Sequence, residues 1–321
     1  AEPYMSDFSC FVEADFNAYQ PNKWSSNVYN LERLQVKQKL ENLGRALSPK
    51  LSSSDGPPLG WEVSVEHPAI WNNRKVKGQH LYFLRSPEAR GEIQSRLSRG
   101  RTMGNLLEDP SPYREHVHLS VSIDHEGLSL SLTLFPDASV DRNNLKKKLE
   151  KSWERSLFVD LLSDLPSTHA IQLVSGEPMS PKDDSPDALG QKILEALSSS
   201  TTAKEPTLQI SCDLAKTDPR LQSPDLLELL QGLLGELRPF YDYIEWRRDN
   251  DHLEVFKEIQ EKQKERRSKG LSPDTRVRVT GGLWAGKRGV VQDLDGRGQV
   301  RVLIGKITVS LKADDIIALP D

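Results

Sequence analysis

The stretch "RVRVTGGLWAGKRGVVQDLDGRGQVRVLIGKITVSLKADDIIAL", residues 276–319, decides the fold at the C-terminal end of the chain. Its apolar residues alternate with charged ones, which is the two-residue period of a strand with one buried face. Gly282, Gly286 and Gly289 allow the backbone to turn sharply where a Cβ would clash. Five strands this short cannot form a flat sheet with an adequate core, so the pattern predicts a small curled barrel over residues 272–321.

The residues before this stretch predict a larger domain, 6–248, that mixes helices and strands. Its clearest hairpin is "EHVHLSVSIDHEGLSLSLTLF", residues 115–135, with one apolar and one polar face. Helical periodicity follows at 137–165, and a long apolar helix is predicted near 223–246, with a kink or restart at Pro239. Strands come in runs between helices, so we predict an α+β fold with a mixed or antiparallel sheet and helices packed on it. Residues 249–271 are predicted to form a charged helical connector.

Composition limits the classes of function. The chain has 321 residues, enough for two or three domains, and a net charge of -4 argues against a general nucleic-acid coat, so any phosphate contact must be local. The only cysteines, Cys10 and Cys212, lie far apart and provide neither a CxxC metal knuckle nor a disulfide framework. No apolar run is long enough to cross a bilayer, and the first thirty residues lack a secretory pattern, so we expect a cytoplasmic protein.

A segment within the terminal stretch, "VRVTGGLWAGKRGVVQDLDGRGQVRV", residues 277–302, resembles the KOW motif. That motif runs from one strand through a glycine-marked loop into the next, and its characteristic glycine matches Gly289. KOW domains are SH3-like barrels of transcription elongation factors, ribosomal proteins and some repair or helicase proteins. The resemblance therefore implies an SH3-like barrel that contacts RNA, DNA or a large machine built around them. Acidic residues nearly balance the basic ones in this module and also favour a protein partner: Asp293, Asp295, Asp314 and Asp315.

The larger domain has a scattered resemblance of its own. The segments "DFSCFVEADFNAY", "LENLGRALSPKL" and "LRPFYDYIEW" resemble an uncharacterised bacterial family that is known only as a domain of unknown function. This resemblance implies a bacterial source and assigns no activity.

The loop "GGLWAGKR", residues 281–288, is the predicted contact with nucleic acid. Lys287 and Arg288 can reach phosphate oxygens, and Trp284 offers a face on which a base can stack. Arg297, in the next turn, extends the same patch. The alternative is that Trp284 packs across the mouth of the barrel and that the two basic residues only face solvent.

The connector ends in the densest run of positive charge in the sequence, which includes Arg266 and Arg267. Glutamates alternate with these cations, a pattern that favours a salt-bridged helix surface over a row of phosphate contacts. Its position next to the barrel also allows both to act as one basic patch, so the two arginines are included among the candidate binding residues.

His116 and His118 are the candidate metal ligands. Two residues apart on a strand, they are predicted to present both imidazoles on one face. The same hairpin supplies only serines, Asp124 and a threonine on that face, so we expect hydrogen-bonded or solvated histidines. A metal site is the alternative, and it needs His80 or another ligand from a neighbouring strand.

No sequence motif of a hydrolase nucleophile, P-loop, zinc protease or dinucleotide fold is present, and no cofactor is expected. The favoured function is a non-enzymatic bacterial protein whose barrel contacts RNA, DNA or a nucleoprotein machine. A protein-interaction adaptor without nucleic-acid contact is the first alternative. A metal-dependent hydrolase or nuclease in the α+β domain, using His116 and His118, is the second.

Overall fold

The structure is a computed structural model that describes residues 8, 10–51, 58–64, 75–97, 112–174, 176–199, 205–254, 271–294 and 299–319. The chain divides into two compact units, Ala1–Asn250 and Asp251–Asp321. Both units contain antiparallel sheets, and helices accompany the sheet of the first. The predicted α+β class is therefore confirmed. In the described part of the chain, no helix combines the length and the apolar character that crossing a bilayer requires.

Within the described residues, the first unit has seven α-helices and six strands. The helices are α1 (Glu13–Asn17), α2 (Asn30–Leu47), α3 (Pro87–Leu97), α4 (Ser139–Leu149), α5 (Ser152–Asp164), α6 (Pro186–Ser198) and α7 (Leu226–Ile244). The strands are β1 (Gly60–Val63), β2 (Gly78–Leu84), β3 (His118–Asp124), β4 (Gly127–Leu134), β5 (Ala170–Leu173) and β6 (Leu208–Ala215).

The six strands form one antiparallel sheet in the order β1-β2-β3-β4-β6-β5. Helix α2 lies against β1 and β2, and α7 lies against β3 and β4. Apolar side chains from these strands and helices share one core, because alternate strand residues point to the helix-covered face. The opposite face carries serines, threonines and histidines, as the hairpin pattern predicts.

Helix α7 differs from its prediction at one residue. It runs as a single helix from Leu226 to Ile244 with Pro239 inside it, so the helix does not restart there, and the alternative of a kink at Pro239 stays a prediction. Proline removes the backbone donor that would bond the carbonyl of Gly235. Gly235 is exposed, so solvent can hydrogen-bond that carbonyl.

The second unit contains the five predicted strands, β7 (Arg276–Val279), β8 (Arg288–Leu294), β9 (Gln299–Ile304), β10 (Ile307–Lys312) and β11 (Ile316–Ala318). They form an antiparallel sheet in the order β10-β9-β8-β7-β11. Its core consists of small aliphatic side chains, which include Leu271, Val277, Val279, Val291, Val300, Val302 and Ile316. The pairing of the described residues is a row from β10 to β11, and closure into an SH3-like barrel stays a prediction.

Three glycines of the second unit lie where a side chain would clash or would strain the backbone. A Cβ on Gly289 would lie 2.6 Å from the carbonyl oxygen of Leu303 and 2.5 Å from Val302, so β8 and β9 approach each other too closely for a side chain there. Gly282 and Gly286 have φ of 73° and 83°, in the left-handed region that glycine adopts without strain.

Candidate nucleic-acid interface

The outward face of the second sheet is strongly basic. Arg276 and Arg278 alternate with the buried Val277 and Val279 along β7, so both arginines point to solvent. Strand pairing places Arg288 of β8 directly across from Arg278. We call the exposed cations of this side the basic face, and its residues are Arg276, Arg278, Arg288, Arg301 and Lys312.

Little negative charge accompanies these cations. Asp293 of β8 lies across from Arg301. Arg276, Arg278 and Arg288 form no ion pair with any residue that the structure describes. Two like charges placed directly opposite each other on neighbouring strands are destabilising. The basic face therefore carries positive charge that the described fold leaves uncompensated, and a bound anion could compensate it.

The predicted contact loop, residues 281–288, divides into two parts. Trp284 is half-buried and packs against the core of the second unit, and its position across the mouth of a barrel stays a prediction. Lys287 and Arg288 are exposed, and Arg288 belongs to the basic face. The predicted candidates Arg266, Arg267 and Arg297 lie outside the described residues.

The structure adds binding candidates that sequence analysis did not select. Arg276, Arg278 and Arg301 each stand next to a valine of the core, and Lys312 stands next to Leu311, which packs against that core. The sequence alone could have identified these cations, because each one alternates with apolar residues and is thereby assigned to the outer face of its strand.

The structure separates the two histidines that were predicted to share a strand face. Strand β3 begins at His118, and His116 precedes it, so the two do not share a strand face and that prediction is wrong. His118 Nδ1 lies 3.1 Å from the carbonyl oxygen of His116. Burial lowers the pKa of His118 to about 4 and that of His116 to about 2. Both imidazoles are therefore neutral at pH 7.

His80 does come to the same face of the sheet as His118. Its strand, β2, pairs with β3, and His80 Nδ1 lies 2.7 Å from Ser122 Oγ. His118 packs between Tyr82 and Phe135, with ring centroids 5.2 Å and 6.0 Å away. Among the described residues, no group of three or more histidine, cysteine, aspartate or glutamate side chains is arranged to hold a metal ion. His80 and His118 therefore have hydrogen-bond or ring contacts in the sheet, and a metal site at His116 and His118 stays an alternative.

The first unit also contains a buried charge cluster, Arg85, Asp141, Tyr241 and Glu245, that the sequence did not reveal. The guanidinium of Arg85 donates to Asp141 and, over 3.3 Å, to Glu245 Oε1. The hydroxyl of Tyr241 donates to the same Glu245 oxygen over 2.8 Å. At most 2% of each of these side chains is exposed. The cluster is closed to solvent, and it joins the end of β2, the start of α4 and the end of α7.

Comparison with known proteins adds no assignment. No family model matches the sequence, and no curated protein matches it either.

Proposed function

We propose that the second unit is a KOW-like, SH3-like barrel that contacts RNA, DNA or a nucleoprotein machine, in a non-enzymatic bacterial protein. The observation that supports this proposal is the basic face, in which Arg278 and Arg288 stand opposite each other without a carboxylate partner among the described residues. The resemblance of residues 277–302 to the KOW motif supports it independently.

Phosphate is the ligand that fits this arrangement best. Arginine presents a planar fork of donors that matches phosphate oxygens, and several arginines on one surface release several counterions when nucleic acid binds. The chain as a whole has a net charge of -4, so this attraction acts locally and depends on how the second unit concentrates its cations. In the first unit, His116, His118 and the charge cluster are buried, so they offer no surface to a nucleic acid.

Fluorescence anisotropy across a salt series tests the proposal. The probes are labelled single-stranded RNA, duplex RNA and duplex DNA, and the proteins are the full chain and its Arg278→Gln/Arg288→Gln variant. The full chain should bind at least one probe, with log affinity falling linearly with log salt. Loss of the two arginines should reduce that slope by about 0.9 for each duplex-DNA phosphate contact removed.

A second double variant tests whether binding depends on the basic face or only on the net charge of the chain. Lys182 and Lys216 are exposed in the first unit, so Lys182→Gln/Lys216→Gln changes the net charge by the same amount. This variant should bind as the unaltered chain does. Equal losses for both variants would contradict a site on the basic face. Absence of binding to every probe at low salt would remove the proposal and leave the protein-interaction adaptor as the next hypothesis to test.

A further inference from the structure

The loop between β7 and β8 holds a fixed shape. The backbone amide of Gly286 donates to the carbonyl of Val279 over 2.7 Å, and that of Thr280 donates to the carbonyl of Asp315 over 2.7 Å. Trp284 anchors the loop against the core of the second unit. A Cβ on Gly281 would lie 2.5 Å from a carboxylate oxygen of Asp315, so the loop also approaches its neighbour closely. These contacts pre-organise the loop before any partner binds.

Leu283 projects from this fixed loop. Its relative exposure is 102%, the highest among the large hydrophobic side chains that the structure describes. An aliphatic side chain held in water by a rigid loop gains nothing from the fold, because the hydrophobic effect rewards only its removal from water. A partner that covers Leu283 would gain the free energy of removing it from water.

The surroundings of Leu283 restrict the chemistry of that partner. Lys287 and Arg288 are exposed at the end of the same loop, and Arg278 lies across from Arg288. The partner must therefore present negative charge next to an apolar or stacked surface. A nucleic-acid duplex has this arrangement, with phosphates outside and stacked bases within.

The duplex fits better than a single strand. Proteins that bind single strands without sequence preference stack bases on exposed aromatic rings, whereas Trp284 is half-buried against the core. Proteins that bind the minor groove of DNA instead insert aliphatic side chains such as leucine between base pairs, with arginine or lysine nearby. Pyrimidine–purine steps open for such insertion at the lowest cost.

We infer that Leu283 is a wedge that enters between base pairs of duplex DNA from the minor groove, while Lys287 and Arg288 contact the flanking phosphates. This inference rests on the proposed function and specifies its substrate. Insertion should unstack one base step and kink the duplex at that point.

The test uses the full chain and a DNA duplex that carries 2-aminopurine in a central TA step, since this base becomes more fluorescent when it unstacks. Leu283→Ala removes the wedge and leaves every cation in place. Ile307→Ala is the matched control, because Ile307 is 55% exposed on β10, at the end of the strand row away from β7. Anisotropy across a salt series measures affinity, and 2-aminopurine fluorescence measures unstacking.

The unaltered chain and Ile307→Ala should bind the duplex and raise 2-aminopurine fluorescence. Leu283→Ala should bind about tenfold more weakly, as expected for losing most of one buried leucine side chain. It should leave the salt slope unchanged, because no phosphate contact is lost, and it should abolish the fluorescence rise.

Three results separate this inference from the proposed function. If Leu283→Ala binds the duplex as tightly as the unaltered chain, the wedge is overturned and the basic face remains the contact. The same holds if the unaltered chain binds the duplex without raising 2-aminopurine fluorescence. Tighter binding to single-stranded RNA than to duplex DNA also overturns the wedge and keeps the proposed function. No binding to any probe overturns both and leaves a protein partner as the next candidate to cover Leu283.

Discussion

Removing the Asp141 carboxylate should severely destabilise the first unit, because this side chain is the acceptor at the centre of the buried charge cluster. Asp141 is 0% exposed. It accepts from Arg85, from the backbone amide of Val117 over 2.9 Å and from the backbone amide of Trp246 over 2.8 Å. Burial alone would lower the pKa of Arg85, but Asp141 and Glu245 raise it, so the guanidinium stays charged.

The magnitude follows from what Asp141→Ala would leave behind. Removing one partner of a buried ion pair costs about 3–5 kcal/mol, because the other charge stays buried. Two backbone amides would also lose their acceptor, at about 1–3 kcal/mol each when no water replaces it. These contributions overlap, and Glu245 still contacts Arg85, so we expect a loss of at least about 4 kcal/mol. That is comparable with the whole stability of many domains.

Urea unfolding of the full chain, followed by far-ultraviolet circular dichroism, measures this loss, since all the α-helices in the described residues belong to the first unit. Asp141→Asn keeps one acceptor oxygen and should fall between Asp141→Ala and the unaltered chain. Asp137→Ala is the control, because Asp137 pairs with Arg114 over 3.1 Å but both side chains keep 17–18% exposure. That control should cost about 1 kcal/mol or less. An Asp141→Ala loss no larger than the Asp137→Ala loss would refute the reasoning.

Two further changes test the packing. Burial holds the pKa of His118 near 4 against an ordinary 6.5, so the unfolded chain takes up the proton first, and the stability contributed by neutral His118 is lost as pH falls from 6.5 towards 4. His118→Gln should flatten the fall in the free energy of unfolding, measured with urea between pH 6.5 and 5, by up to about 1.4 kcal/mol per pH unit; an unchanged pH profile would contradict this. A Cβ added at Gly235 in α7 would have no atom within 4 Å. Gly235→Ala should therefore raise the free energy of unfolding by about 1 kcal/mol, because alanine favours a helix more than glycine does. Gly44→Ala in α2 should lower it, because its Cβ would lie 2.6 Å from the ring of Trp61, and a stabilised Gly44→Ala would contradict the packing.

Local sequence patterns were sufficient to predict those elements whose structure depends on residues that are close in sequence. The β3–β4 hairpin follows from strict alternation and from the Asp124 turn, in which the Asp124 carboxylate accepts from the amides of Glu126 and Gly127. The five strands of the second unit follow from the same period. The position of β6 between β4 and β5 could not be predicted, because it depends on pairing between segments that are distant in the chain.

The same distinction applies to the sites. The basic face could be predicted from the sequence, since each cation alternates with a side chain of the core. The buried charge cluster was not, because Arg85 and Glu245 are 160 positions apart and no sequence spacing relates them. Sequence analysis also selected His116 and His118 from a spacing of two residues, although the strand begins only at His118. A spacing argument of this kind depends on the strand boundary, which is the least certain part of a sequence-based prediction.

The proposal of an anionic partner does not depend on the KOW resemblance alone, because one pair of like charges in the second unit is unfavourable for folding. The valines complete the buried side of β7 and β9, so packing does not require arginine on the outer side. Arg278 and Arg288 nevertheless face each other across the ladder, an arrangement that costs up to about 1 kcal/mol relative to neutral residues. Leu283, five residues before Arg288, is fully exposed and gains nothing from folding. These two features lie in one small unit, and together they are the reason why we propose an anionic partner and choose a nucleic-acid duplex as the first ligand to test.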